Sequence, residues 1–510
     1  MISTSDILRE ATQAFGAGDH AAAVRLFKRM IAASPESAEL WNNLGQAYRG
    51  AGNLASAADA FDKAAALDPT FALPLNGLGM LSRLAGNWTL AEGYYRQALD
   101  RQPIFPEVHF NLGVLSEEQG HQENARWHYE NAVRQRPGYV QAKNNLAVLL
   151  MADRDYDTAE AMLRDALGRN PNSAELLTSL GSCLRNLGRL TEAEEAYLTA
   201  VRASENLFEA KWNLALVQLA KGAYQEGWSH YRYRPSANRT RHILPEETLP
   251  PALFGHRIAL EGEQGVGDEI FFLRFAPALM MRGAEVSYAG DDRLSGMAAR
   301  ALPGLADPAS PGSSSVAVSV ADLPYLLASS GVPASLRLTP LEGHLAAVRQ
   351  RLQGAGPPPY IGFTYRAGLR GKGALYKEAP LAELASLLRE LPGTLINLQR
   401  ELKSEEQRDL EAQFHGQVLG VAGDNTDLET MIAVMACLDE YIGVSNTNMH
   451  LRAAVGKSAR VLVPHPADYR WMTTGRSPWF PDFQVYRQSA DGGWGGAFAS
   501  LSSDLSVADG

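Results

Sequence analysis

The sequence predicts an α + α/β protein, a superhelix of helical hairpins followed by a two-lobed α/β domain. Three observations predict it. Prolines at 35, 69, 103, 137 and 171 recur every 34 residues. After about residue 256 that phase is lost, and short apolar runs alternate with helical ones, the pattern of parallel α/β layers. Between the two, residues 235–251 form a polar, proline-bearing linker.

The first region is a repeat array because several position classes keep one phase. Leucines stand at 44, 78, 112, 146, 180 and 214, each followed by a small residue: Gly45, Gly79, Gly113, Ala147, Gly181 and Ala215. A ring or leucine recurs at Phe27, Phe61, Tyr95, Tyr129, Leu163, Tyr197 and Tyr231, and alanine at 23, 57, 91, 125, 159 and 193. The small residue lets two helices approach, and the ring fills the space between hairpins. Proline has no N–H and restricts the residue before it, so it marks unit boundaries. The pattern L-G, A-x-x-x-[FY], P is that of tetratricopeptide (TPR) repeats. About seven units are expected, at 4–37, 38–71, 72–105, 106–139, 140–173, 174–207 and 208–234, stacked around a concave groove.

The residue before each repeat leucine reads Asn43, Gly77, Asn111, Asn145, Ser179 and Asn213. Asparagine is a mediocre helix former, so four at one phase need a reason. Their amides either pair with the backbone of an extended acceptor peptide in the groove or hydrogen-bond between adjacent repeats. The first arrangement resembles the asparagine ladder of the eukaryotic O-linked N-acetylglucosamine transferases.

Composition excludes several classes. With 510 residues the chain needs more than one core. A net charge of −10 disfavours nucleic acid or an anionic membrane as main partner. Only Cys183 and Cys437 occur, giving neither a disulfide framework nor zinc spacing and reading as buried thiols. The opening MISTSDILREATQAF carries acidic residues and no long apolar run, unlike a signal peptide. No segment approaches the roughly 18 apolar residues of a membrane span. A cytoplasmic protein is expected.

The second region divides at a Pro/Gly-rich hinge, 354–359, into lobes 252–353 and 360–505. Strands are expected at 257–264, 285–289 and 316–320, then at 360–365, 394–399, 440–444 and 459–463. Helices are expected at 269–282, 381–391 and 427–437 and from about 448. Two Rossmann-like lobes of this kind hold a ligand in the cleft between them.

Four segments point to that cleft. Glu263–Asp268 is a glycine turn before a helix, where Gly265 and Gly267 let a ligand approach the backbone and the helix N-terminus favours an anion. It is not the dinucleotide fingerprint, and Asp268 fits an N-cap equally well. The strand ending at Thr364 runs into a loop with Arg366, whose guanidinium suits a phosphate, a carboxylate or a surface glutamate. Lys377 precedes the helix at Leu381 and either meets a phosphate or is simply exposed. Val444 leads into Ser445, Asn446, Thr447 and Asn448, the small polar run a phosphate or sugar pocket requires, although capping explains Ser445 or Thr447 as well. His450, on the first turn of that helix, is a ligand contact or a packed histidine.

Three of these runs, G-V-G-D-E-I-F-F-L-R-F-A-P-A-L, K-E-A-P-L-x-x-L and V-S-N-T-N-M-H-L-R-A-A-V-G-K, resemble the bacterial heptosyltransferase-like glycosyltransferases (family 9, GT-B fold). With the tail run P-H-P-A-D-Y-R-W-M-x-x-x-R-S-P-W-F-P, the chain resembles bacterial proteins joining TPR repeats to a shortened version of that domain, such as flagellin O-glycosyltransferases. The resemblance covers about 4–234 and 256–488. It implies a GT-B domain whose shortened first lobe serves an acceptor protein, flagellin or another surface protein, brought by the TPR groove. It implies Asp268 as general base, Lys377 at the donor phosphates, and Ser445–His450 at the donor nucleotide, with Arg366 facing the same phosphates. The nucleotide-sugar is a substrate, and neither cofactor nor metal is implied. Asp291 and Asp292 lack the D-x-D spacing of metal-dependent transferases and are assigned to a turn. Tyr469, Trp471 and Trp479 anchor the core or wall the cleft. The related loop begins Asp-Thr where this chain has Ser445-Asn446; a carboxylate is lost from the donor site, which leaves the donor and the activity itself open. A scaffold with an inactive nucleotide-binding domain is the alternative.

Overall fold

The computed structural model describes residues 4–236, 248–306, 316–367, 377–400, 402–414, 419–420 and 427–508. The chain forms two compact units, Met1–Pro171 and Asn172–Gly510.

The first unit pairs α1 (Thr4–Gly16) with α2 (His20–Ala33), α3 (Ala38–Gly50) with α4 (Leu54–Leu67), and α5 (Leu73–Leu84) with α6 (Trp88–Arg101). It ends with α7 (Pro106–Glu118) against α8 (Gln122–Gln135) and α9 (Val140–Ala152) against α10 (Tyr156–Arg169). The periodic rings are buried, and Phe61, Tyr95 and Tyr129 each lie on the small residue of their own hairpin. A Cβ added to Gly45 would sit 2.6 Å from the Phe61 ring, and Gly79 and Gly113 are covered likewise by Tyr95 and Tyr129. The small residue is therefore a packing requirement of the ring. One further class with the same period sits in the turn inside each hairpin: Gly18, Gly52, Gly86 and Gly120 all have φ between 76° and 79°. Glycine takes that left-handed conformation without a Cβ clash. The fifth hairpin places Arg154 there instead, at φ 65° with an exposed side chain.

The second unit opens with two more hairpins, α11 (Ala174–Asn186) with α12 (Leu190–Ala203) and α13 (Phe208–Ala220) with the short α14 (Tyr224–Tyr231). Its first sheet has the parallel order β2–β1–β3, with β1 (Arg257–Glu261), β2 (Glu285–Ala289) and β3 (Val316–Ser319). Between the strands run α15 (Val266–Leu273), α16 (Ala276–Met281) and α17 (Asp292–Ala301), followed by α18 (Leu323–Leu326) and α19 (Glu342–Ala355). The single helix expected over 269–282 is thus two, separated where Pro277 enters the first turn of α16. Asp291 caps α17 by accepting from the Arg293 N–H, so the Asp291-Asp292 pair is a helix start.

The second sheet is parallel throughout, in the order β6–β5–β4–β7–β8–β9. It comprises β4 (Tyr360–Thr364), β5 (Thr394–Asn397), β6 (Leu419–Gly420), β7 (Glu440–Val444), β8 (Arg460–Val463) and β9 (Gln484–Arg487). Its helices are α20 (Leu381–Leu388), α21 (Ser404–Phe414), α22 (Leu428–Cys437), α23 (Thr447–Ala454) and α24 (Gly495–Ala508). The central strands are apolar without alternation because helices cover both faces. Helix α19 packs on α22, and the Leu338 N–H donates to the Ala454 carbonyl at 3.0 Å. The chain therefore crosses between lobes within 328–341, ahead of the 354–359 segment expected to be the hinge. Most of the expected 235–251 linker, residues 237–247, lies outside the described residues.

One apolar core runs from α13 and α14 through both lobes. Trp228, 1% exposed, lies edge-on to Phe272, Phe275, Tyr469 and Trp479. Just after α14, the buried Arg234 donates from Nε to Glu263 at 2.7 Å and from NH1 to Asp322. These contacts make the last hairpins part of the α/β unit, whereas the sequence suggested a boundary at residue 234.

Arg154→Gly should raise stability by about 1 kcal/mol, because it removes a left-handed non-glycine residue whose exposed side chain contributes little. Thermal unfolding followed by helical circular dichroism measures it, and the midpoint should rise by a few degrees.

Candidate functional site between the two lobes

Strand β1 ends in a turn in which Gln264 takes φ 72°, and Gly265 then opens α15. Open space surrounds Gly265 on its Cβ side. Gly267 is packed: a Cβ there would lie 3.2 Å from Thr447 Cα and His450 Cδ2, so the first-lobe turn rests on the start of α23 in the second lobe. Asp268 is the third residue of α15, whose N-cap is Gly265. The Asp268 Oδ1 accepts from Arg470 NH2 at 2.6 Å, across the lobes. The N-cap alternative for Asp268 is therefore out.

Arg470 organises the rest. It is 8% exposed and lies over the Phe271 and Tyr469 rings. Its NH1 reaches His450 Nε2 at 3.4 Å and its Nε lies 3.5 Å from Asp468 Oδ1. Asp468 Oδ2 is 3.8 Å from Lys377 Nζ. Burial opposes the charge on Asp468, but Arg470 and Lys377 outweigh it and hold the carboxyl below its ordinary range. His450 is pushed well below the ordinary histidine value by burial first, then by Arg470, Arg274 and Lys377, and so stays neutral. Arg274 is also buried. It donates to the carbonyls of Phe271 and Trp479, and burial followed by Arg470 lowers its guanidinium to about 9.

The structure thus brings Asp268, Lys377 and His450 together, with Gly265, Gly267 and Thr447 beside them. It does not do this for Arg366, whose guanidinium is held by Glu406 through Nε and NH2, each at 2.9 Å. Ser445 and Asn448, expected at the donor nucleotide, are buried at 4% and 5% exposure. Asn446 caps α23 and donates to Thr364 Oγ1 at 2.9 Å. His450 lies between the Phe271 and Phe480 rings and is packed, as the second alternative had it. Tyr469, Trp471 and Trp479 are core residues.

The asparagine column divides in the same way. Asn111 donates to Asn76 Oδ1 at 2.7 Å and Asn145 to the Tyr129 hydroxyl at 3.1 Å, both contacts to the preceding hairpin. For these two the inter-repeat alternative holds. Asn43 is half-buried on α3. Asn213 lines a cavity of about 750 Å³ between α11, α13 and the loops that follow β8 and β9, and Asp468 lines the same cavity.

Sequence reasoning missed Asp468 and Arg470 as site residues. The signal was there: two opposite charges in the aromatic run Ala467–Met472 must be paired when buried.

The tetratricopeptide repeat family matches residues 8–70, 83–140 and 144–207, so the N-terminal region is a TPR array. Protein FlbA of Caulobacter vibrioides is 24% identical over 401 residues, covering 65% of this chain and 67% of that protein. Among solved structures, the chain is similar to the APC/C hetero-tetramer Cut9–Hcn1, at 20% identity and TM-score 0.41 over 46% of each chain. It thus spans under half the length of that relative. It is also similar to YrrB, a TPR protein with an unusual peptide-binding site, at 18% identity and TM-score 0.30 over 36% of this chain and 95% of that one. Among the described residues no helix is long and apolar enough to cross a membrane.

Because His450 stays neutral in the fold, the unfolded chain binds a proton there that the native chain does not once pH drops below 6.5. Stability should therefore fall as pH falls through that value. His450→Gln should flatten the dependence by up to one proton, about 1.4 kcal/mol per pH unit. Urea unfolding at pH 7.5, 6.5 and 5.5 compares the two slopes.

Proposed function

We propose that the protein is an O-glycosyltransferase that moves a sugar from a nucleotide-sugar to a serine or threonine of an acceptor protein engaged by the TPR helices. One observation carries this reading. A first-lobe carboxylate, Asp268, and a second-lobe ammonium, Lys377, belong to one ion-pair cluster, and Asp468 of that cluster lines a cavity whose other wall is α11 and α13. An acid–base group, a phosphate-binding group and a protein-recognition element thereby adjoin.

In the reaction the acceptor hydroxyl approaches Asp268. Arg470 fixes the carboxylate through Oδ1, and the remaining oxygen takes the proton. The acceptor oxygen bonds to the anomeric carbon as the bond from that carbon to the phosphate oxygen breaks, and the nucleotide leaves with the electron pair. Lys377 and the α23 N-terminus at Thr447 offset its charge. Arg274, Arg470 and Lys377 all act on this cluster, with Asp268 and Asp468 as its carboxylates among the described residues. Flagellin or another surface protein is the acceptor to test first, on the sequence resemblance.

A second reading has its own observation. Lys377 and Arg366 are already paired with Asp468 and Glu406, as they would be in a TPR scaffold whose second domain no longer turns over a donor.

Asp268→Asn should lower transfer by about 10²–10⁴-fold while nucleotide binding stays unchanged. Transfer is read by the mass of the acceptor and binding by calorimetry. Wild-type transfer by the variant would remove Asp268 from the chemistry.

A further inference from the structure

The cavity beside α13 is built for a different ligand from the lobe cleft. Its volume, about 750 Å³, is that of a ligand site. Several of its polar side chains are already committed. Arg487 donates to the carbonyls of Trp471, Met472 and Gly475, the His465 ring pairs with the Asn186 carbonyl, and Gln488 bonds the His465 N–H and the Gly492 carbonyl. The groups left to define the ligand include the Asn213 amide and the Arg185 guanidinium. The Asn213 amide, on a residue 9% exposed, has no side-chain hydrogen-bond partner among the described residues. The Asp468 carboxylate stands at the end shared with the ion-pair cluster. Most of the remaining wall is apolar, chiefly Leu187, Trp212, Leu216 and Ala220 on the repeat side. Arg185 adds one cation, with a buried Nε lacking a partner.

A phosphate-bearing ligand is a poor fit for that end. The C-terminal turn of α11, where Arg185 lies, presents carbonyl oxygens to it, and the walls beyond are mostly apolar. A neutral, extended peptide fits both sets of groups, since an unpaired amide satisfies a backbone donor and acceptor at once.

We propose that this cavity is an acceptor subsite that selects apolar side chains next to the modified hydroxyl. The identity of the occupant rests on the glycosyl-transfer reading. The segment pairs its backbone with Asn213 and buries its side chains against Trp212 and Leu216. Its serine or threonine passes Asp468 towards Asp268, the two carboxylates being joined through Arg470.

The test uses the full chain and two labelled peptides, one with a central serine flanked by leucine and valine, the other with the same serine flanked by asparagine and glutamine. Binding is read by fluorescence anisotropy without donor, for the wild type and for Ala220→Trp and Thr474→Trp, which fill the cavity from opposite walls. The apolar peptide should bind at least tenfold more tightly than the polar one, and each filling should cost that preference while circular dichroism stays unchanged. Thr474 is exposed, so its variant guards against misfolding of the other. Equal affinity for the two peptides, binding of neither, or full binding by the filled variants would overturn the proposal. Selective, filling-sensitive binding with no transfer from any nucleotide-sugar would uphold the cavity and overturn the transfer reading. Transfer that persists undiminished in both filled variants would do the reverse.

Discussion

The joint between the last helical hairpin and the α/β core is the constraint on which the second unit depends. Arg234 is 1% exposed and meets two buried carboxylates, Glu263 after β1 and Asp322 after β3. At Glu263 the guanidinium wins over burial and keeps the carboxyl low, whereas at Asp322 burial wins and raises it. Such a network adds little net stability over an apolar replacement, but loss of one partner strands a buried charge at a cost of about 3–5 kcal/mol. Its effect is orientation. With Arg234 and Trp228 fixed, α13 must lie across from the loop after β8, and the cavity follows.

The same joint supports the ion-pair cluster. Trp228 packs against Tyr469 and Trp479, and Tyr469 adjoins Arg470 in sequence. Arg470 then spans the lobes, with Asp268 on one side and Asp468 and His450 on the other. In a buried setting these charges interact far more strongly than in water, so their positions are tightly coupled. Gly267 fits the same close packing, since a Cβ there would crowd Thr447 and His450 at 3.2 Å.

The repeats were legible because the periodic residues pack against one another. Gly45 lies under Phe61, Gly79 under Tyr95, Gly113 under Tyr129 and Gly181 under Tyr197. The strands were legible too, being short apolar runs between turn residues. Strand β9 and helix α24 escaped notice, since Gln484–Arg487 reads as polar and the buried stripe Ala497, Phe498, Leu501 and Leu505 lies in a run rich in glycine and serine. At the site, the glycine turn and Lys377 were visible as motifs, while partners were not. That Arg366 belongs to Glu406, and Asn111 to Asn76, depends on long-range geometry that no local pattern encodes. Arg470 was hidden for the same reason, 202 residues from Asp268 in sequence.

The central claim is that this chain attaches a sugar to a protein. Intact-mass analysis of surface proteins, flagellin first, from cells with and without the gene tests it most directly. The account predicts at least one protein that carries a sugar mass on serine or threonine only when the gene is present. Identical masses in the two strains, with the protein expressed and folded, would contradict it.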